Sequence, residues 1–219
     1  IKLGIRYEDS QGELHWQWPW IRTNIDSSDL MLNIKKNNIP VPSQNYPVNE
    51  EKANNWVNSF SGQDKEIAKL ITQNISHITF TQFLESLAQT VSSLNSSLVN
   101  KRYVILVNSL DLNENKSTSW IYDIVKPFLP PGGEIVNTTD IHNWIRKNPN
   151  VKDFVVLDDA SYSATQLKQK IGWVNQLKLT SPTVHISIPF MTSYSISQAK
   201  DTYEFPIVFH GNQKIESFQ

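Results

Sequence analysis

The chain has no cysteine among its 219 residues. Disulfide scaffolds, thiolate zinc centres and cysteine nucleophiles are thereby excluded. A reducing compartment fits, so the cytoplasm is the expected location, with a secreted effector also compatible. Glycine is scarce, at seven residues, and no segment has the glycine pattern of a Walker phosphate loop. No apolar run approaches the roughly 18 residues that span a bilayer, and no signal peptide is recognisable, so no membrane partner is expected. Neither sign of charge dominates: 20 Lys and Arg stand against 21 Asp and Glu, for a net charge of -1. No overall field draws in nucleic acid, which is not expected as a partner. There is no internal repeat. What remains is a globular composition, 39% hydrophobic and 19% charged, long enough for one large domain or two small ones.

Residues 1–20 read as a β-hairpin. Ile1, Leu3, Ile5 and Tyr7 alternate with polar residues, as do Leu14, Trp16, Trp18 and Trp20, around the turn-forming "EDSQG". The tryptophans could stack on sugars or bases, but their alternation reads more simply as a packed apolar face. From Lys35 to Asn49 the chain is polar and proline-punctuated, as in a linker or surface loop. Three helices are expected next. Asn49 can cap "EEKANNWVNSF"; Ile67, Leu70, Ile71 and Ile75 form one apolar face of the second. Phe80, Phe83, Leu84, Leu87, Val91, Leu94 and Leu98 form the stripe of the third, with Thr79 and Gln82 at capping-box spacing.

Beyond residue 100 strands and helices alternate. "RYVILVN" (102–108), "EIV" (134–136), "FVVLDD" (154–159), "TVHISI" (183–188) and "FPIVF" (205–209) are strand candidates. Helical stripes lie between them at Ile121–Phe128, Ile141–Ile145 and Leu167–Leu177. Continuous apolar strands alternating with helices indicate a parallel sheet covered on both faces. The expected fold class is therefore α/β. A mainly helical region with a β-hairpin occupies 1–100, and an α/β core occupies 101–219. The helical region is a candidate surface for a protein partner.

The chemistry concentrates in "FVVLDDASYSATQL", residues 154–167. Ligands of open parallel sheets lie beyond the carboxyl ends of strands, and there the chain places Asp158, Asp159 and a loop of small hydroxyl-bearing residues. Ser163 and Gln166 have capping-box spacing, which predicts a helix start at 163–164. A helix N-terminus suits a phosphate, and the acids could hold sugar hydroxyls or a hydrated Mg²⁺ shared with a second phosphate. The bland alternative is two strand-end acids facing solvent.

An apolar strand, Asp-Asp, and a small-residue loop opening a helix together resemble the ribose-phosphate motif of type I phosphoribosyltransferases. The resemblance covers about residues 101–210. It implies a phosphoribosyltransferase-like core that binds phosphoribosyl pyrophosphate or a related ribose-phosphate or nucleotide, with Mg²⁺. By position, Asp158 and Asp159 would hold the ribose and steady positive charge in glycosyl transfer. Ser161, Tyr162, Ser163, Ala164, Thr165 and Gln166 would wrap the 5′-phosphate. Lys116 and Ser117, in "SLDLNENKSTSW", would lie near the diphosphate. The chain departs from the family where Ala164 replaces a glycine, where Tyr162 is bulky, and where Asp111 and Glu114 make the diphosphate loop acidic. These departures keep a second reading open, a catalytically inactive sensor or protein-interaction module of the same fold.

The five histidines show no ligand spacing. His185, mid-strand, reads as structural; His210, after the last strand, could reach a cleft. "MTSYSIS" (191–197) follows a strand and would lie at the same sheet edge as the acids.

Overall fold

The computed structural model describes residues 5–8, 14–17, 24–41, 50–74, 78–107, 117–211 and 213–215. In chain order its elements are β1 (Ile5–Glu8), β2 (Leu14–Gln17), α1 (Ser27–Lys36), α2 (Glu50–Asn58), α3 (Gly62–Asn74), α4 (Phe80–Leu98) and β3 (Tyr103–Val107). Then come α5 (Ser117–Val125), β4 (Gly133–Asn137), α6 (Ile141–Lys147), β5 (Asp153–Leu157), β6 (Ala160–Ser161) and α7 (Thr165–Gln176). The last are β7 (Thr183–Ser187), β8 (Phe190–Thr192), α8 (Ser193–Lys200), β9 (Ile207–Phe209) and β10 (Gln213–Ile215). The fold is α/β, with helices in the N-terminal region. Two compact units are formed, one from Ile1–Ile39 with Leu84–Gln219 and one from Pro40–Phe83. The division falls in the first turn of α4.

In the larger unit five parallel strands form a sheet in the order β4-β3-β5-β7-β9. The strands form here because their apolar runs can be covered on both faces. All five residues of β3 are buried, as are Phe154, Val155, Val156 and Leu157 of β5. On one face Val104, Leu106, Phe154, Val156, Val184 and Ile186 share a core with Ile141 and Ile145 of α6 and with Leu167, Ile171 and Val174 of α7. These helix residues recur at three- and four-residue spacing, so each helix turns one stripe to the sheet. Residues of the opposite parity, including Tyr103, Ile105, Val155 and His185, are buried as well.

The chain leaves β3 for β4 on one side and returns past it to β5 on the other. The direction of winding therefore reverses between β3 and β5, the switch point at which such sheets leave a crevice. Beyond the carboxyl edge a smaller parallel sheet, β10-β8-β6, pairs Ala160 with Phe190 and Ser161 with Met191.

β1 and β2 pair antiparallel, as the alternation predicts; the "EDSQG" turn beyond Glu8 and Trp18 and Trp20 lie outside the described residues. The polar stretch from Lys35 begins later than expected, because α1 runs through Lys36. That helix opens on a capping box and buries Leu30 and Ile34, four residues apart. Asp26 Oδ1 accepts from the Ser28 and Asp29 amides, and the Asp29 carboxylate accepts from the Asp26 amide. Buried Asn33 donates from Nδ2 to the carbonyls of Asp123 and Ile124, satisfying orphan acceptors at the end of α5.

In the smaller unit α2 packs on α3; Asn49, its expected cap, lies outside the described residues. The helix over 62–74 forms, but its expected apolar face buries only in part: Ile67 and Leu70 are exposed, Ile71 is half-buried, and Ala68 is buried. Ile75 is outside the described residues. The Thr79–Gln82 capping box is present, with Gln82 Oε1 accepting from the Thr79 amide at 2.8 Å and Thr79 Oγ1 from the Gln82 amide at 3.2 Å. Along α4, Leu84, Leu87, Val91, Leu94 and Leu98 are all buried. No helix among the described residues is long and apolar enough to cross a membrane.

Candidate ligand-binding site

β5 ends at Leu157 because the apolar run gives way to acids, and Asp158 is the first residue beyond it. Asp158 is not a solvated strand-end acid; it is buried. Its Oδ1 accepts from the Ser117 hydroxyl and, at 3.1 Å, from the Asp159 amide. Its Oδ2 lies 3.2 Å from Lys170 Nζ. Lys170 is 1% exposed and donates further to Thr118 Oγ1 at 2.9 Å and to the Leu157 carbonyl at 3.4 Å.

Sequence reasoning missed this lysine. Its signal was available: Lys170 stands three residues after Leu167 and four before Val174, on the stripe that faces the sheet. A lysine there must find a counter-charge, because an unpaired buried ammonium costs several kcal/mol. Ser117, expected near a diphosphate, opens α5 and spends its hydroxyl on Asp158.

Asp159 is half-buried, and its Oδ1 accepts from the Ala160 amide at 2.9 Å. Burial, followed by the neighbouring Asp158 carboxylate, pushes its pKa above the ordinary carboxylate value. The two acids thus occupy different electrostatic settings, although they are adjacent in sequence.

The loop that follows is pinned to the loop after β7. Ser161 Oγ lies 2.7 Å from Ser195 Oγ, and Thr192 Oγ1 donates to the Tyr162 carbonyl at 2.6 Å. Thr192 also caps α8, accepting from the Ser195 amide at 3.0 Å. "MTSYSIS" therefore contacts the acid-bearing loop, but through hydroxyls that are already bonded. Tyr162 is 65% exposed, and its side chain leaves the loop for solvent.

The capping box expected between Ser163 and Gln166 does not form. α7 starts at Thr165, with Ala164 as its N-cap and no side-chain cap. The Ser163 hydroxyl bonds Thr165 Oγ1 at 3.1 Å and reaches the Thr165 amide only at 3.5 Å. The reason is Ala164, whose φ of 61° turns the chain left-handed and takes Ser163 out of capping geometry. Ala164 thus adopts the conformation that glycine ordinarily supplies. Gln166 is exposed on the first turn of α7.

Lys116 and the rest of residues 108–116 lie outside the described residues. Among the described residues no group of three or more His, Asp or Glu side chains is placed to hold a metal ion. His210 does not open to a cleft. It is buried and bonded to His185 and Ser93, on a different part of the sheet from the acids.

No family model and no curated protein matches the chain. Among solved structures it is similar to TT1426 from Thermus thermophilus, with a TM-score of 0.36 and 10% identity, covering 57% of this chain and 80% of the other. At that level of likeness neither fold nor function transfers.

Proposed function

We propose that the chain binds a ribose-phosphate or nucleotide at the carboxyl edge of its parallel sheet, as a divergent phosphoribosyltransferase-like protein. The backbone of Ala164 is the observation that carries this reading. The loop after the acids keeps a glycine-type left-handed turn although glycine is absent, and its N-cap residue gives the amides opening α7 no side-chain cap, with Ser163 Oγ at the Thr165 amide only at 3.5 Å. Such uncapped N–H groups, with the helix dipole behind them, suit a phosphate. The position of the acids beside the switch point between β3 and β5 supports the same reading.

In this reading the loop 161–166 orients the 5′-phosphate and the acidic end of β5 accepts ribose hydroxyls. If the phosphoribosyl group is transferred, negative charge at that end of β5 stabilises the positive charge developing at ribose C1. Mg²⁺ would neutralise a diphosphate. It holds several waters and needs only one or two carboxylates, so a water-mediated contact with Asp159 fits the residues present. A catalytically inactive sensor or interaction module is the second reading. The alanine that stands where the resembled loop has glycine and the engagement of Asp158 with Lys170 favour it.

Calorimetry with phosphoribosyl pyrophosphate, ribose 5-phosphate, AMP and ATP, each with Mg²⁺, tests the site. Micromolar to millimolar binding of at least one is expected; no binding of any would overturn the proposal. Pyrophosphate release across a panel of bases then separates transferase from sensor.

A further inference from the structure

We infer that the two adjacent acids divide the work: Asp158 is a positioning residue, and Asp159 is the acid that contacts ligand. The inference rests on the ligand-site reading above. A carboxylate has about four lone-pair positions. Asp158 commits three of them, to the Ser117 hydroxyl, the Asp159 amide and Lys170, and is only 7% exposed.

Lys170 is equally committed. An ammonium has three N–H donors, and Lys170 has three acceptors, Asp158 Oδ2, Thr118 Oγ1 and the Leu157 carbonyl. With 1% exposure it cannot reach a ligand itself. The pair instead ties together three elements: the end of β5, the first turn of α5 and the middle of α7.

Asp159 differs on each count. It is half-buried rather than buried, its carboxylate accepts from the Ala160 amide at 2.9 Å, and it adjoins the loop 161–165. Asp158 is paired with an ammonium, whereas Asp159 meets the Asp158 carboxyl and the Ala160 amide instead. One carboxylate so placed recognises a ligand that donates hydroxyls, such as the diol of a sugar phosphate. Two carboxylates chelating one cation directly is not the arrangement here.

The test uses the full chain, with ribose 5-phosphate and phosphoribosyl pyrophosphate as probes. Asp159→Asn should weaken binding at least about tenfold while the thermal midpoint stays within about 2 °C. Lys170→Met and Asp158→Asn should each lower the midpoint. The double variant Asp158→Asn/Lys170→Met, in which no buried charge is left unpaired, should recover most of the midpoint lost by either single variant and should weaken binding less than Asp159→Asn does. A folded double variant that loses binding as fully as Asp159→Asn overturns the division. So does Asp159→Asn binding like the unaltered protein.

Carboxyl ¹³C resonances of the unaltered protein give a second reading that does not depend on variants folding. On titration with ribose 5-phosphate the Asp159 signal should move more than the Asp158 signal. Equal movement, or movement of Asp158 alone, overturns the inference. If the unaltered protein binds neither probe, the ligand-site reading itself fails and the division falls with it, an outcome distinct from all of these.

Discussion

Nδ1 of His185 lies 3.0 Å from Nε2 of His210, and both imidazoles are buried. Asp153 Oδ1 accepts from His185 Nε2 at 2.8 Å and is also paired with Lys101 at 2.9 Å. The Ser93 hydroxyl lies 3.1 Å from His210 Nδ1. One set of tautomers satisfies every contact: His185 donates to Asp153, His210 donates to His185, and Ser93 donates to His210. The bridge between the rings needs one proton; a second would set two N–H groups against each other.

That arrangement makes stability depend on pH. Burial lowers the pKa of His185 despite the Asp153 contact; burial and the His185 charge lower that of His210 from 6.5 to about 4. The unfolded chain therefore takes up protons first as pH falls. The contribution is complete above pH 6.5 and is lost as pH drops through that value towards about 4. For His210 it is worth roughly 3 kcal/mol. Thermal melts should show a midpoint flat above about pH 7 that falls below about pH 6.5. In His210→Gln the fall over that window should be shallower, and an unchanged slope would remove the histidine pair as its cause.

Ala164 tests the room in the loop. Relief of its left-handed φ favours glycine by roughly 1 kcal/mol. The buried methyl opposes this by about 0.8 kcal/mol. Ala164→Gly should therefore melt close to the starting protein. Ala164→Val, β-branched and buried at positive φ, should lose about 2 kcal/mol or more. Equal midpoints for the two variants would contradict the turn described here. If the Ala164 methyl crowds a phosphate, Ala164→Gly should also lower Kd in the calorimetry above.

A second close approach lies between β3 and β4. A Cβ on Gly133 would fall 2.4 Å from ring atoms of Tyr103, whose buried hydroxyl donates to the Pro130 carbonyl at 2.6 Å. Gly133→Ala should cost about 1–3 kcal/mol in denaturant melts. In the background Tyr103→Leu most of that cost should vanish, since the two residues share one space. Full additivity would rule out the clash as its source.

The Thr79–Gln82 box is exposed and local. Thr79→Ala should cost about 1 kcal/mol and raise hydrogen exchange only in the first turn of α4. Loss of protection along the whole helix would mean that the cap does more than close its end.

How legible each of these features was depends on how far apart its residues lie in the chain. The Thr79–Gln82 box is complete within a single helical turn. The strands at 103–107, 153–157 and 183–187 were legible because continuous apolar runs need cover on both faces wherever they sit. The capping box at Asp26 is equally local, and Leu30 and Ile34 are spaced to share one buried face of α1, so that helix too carries a local signal. The exposed Ile67 and Leu70 show the limit of periodicity: spacing defines a face but not whether anything covers it.

The sequence by itself determined the α/β class, the strand sites and the position of the acids at a strand's end, because local patterns of apolarity and charge suffice for these. Only the tertiary structure decided which acid meets a buried lysine. Lys170 reaches Asp158 across 12 residues, and Ser117 reaches it across 41; the stripe of α7 marks Lys170 as buried, but no local pattern says which acid it meets. It also decided that His185 and His210, 25 residues apart, share one proton between their facing nitrogens. Long-range pairing depends on where the backbone carries each side chain, and the packing of the sheet sets that course.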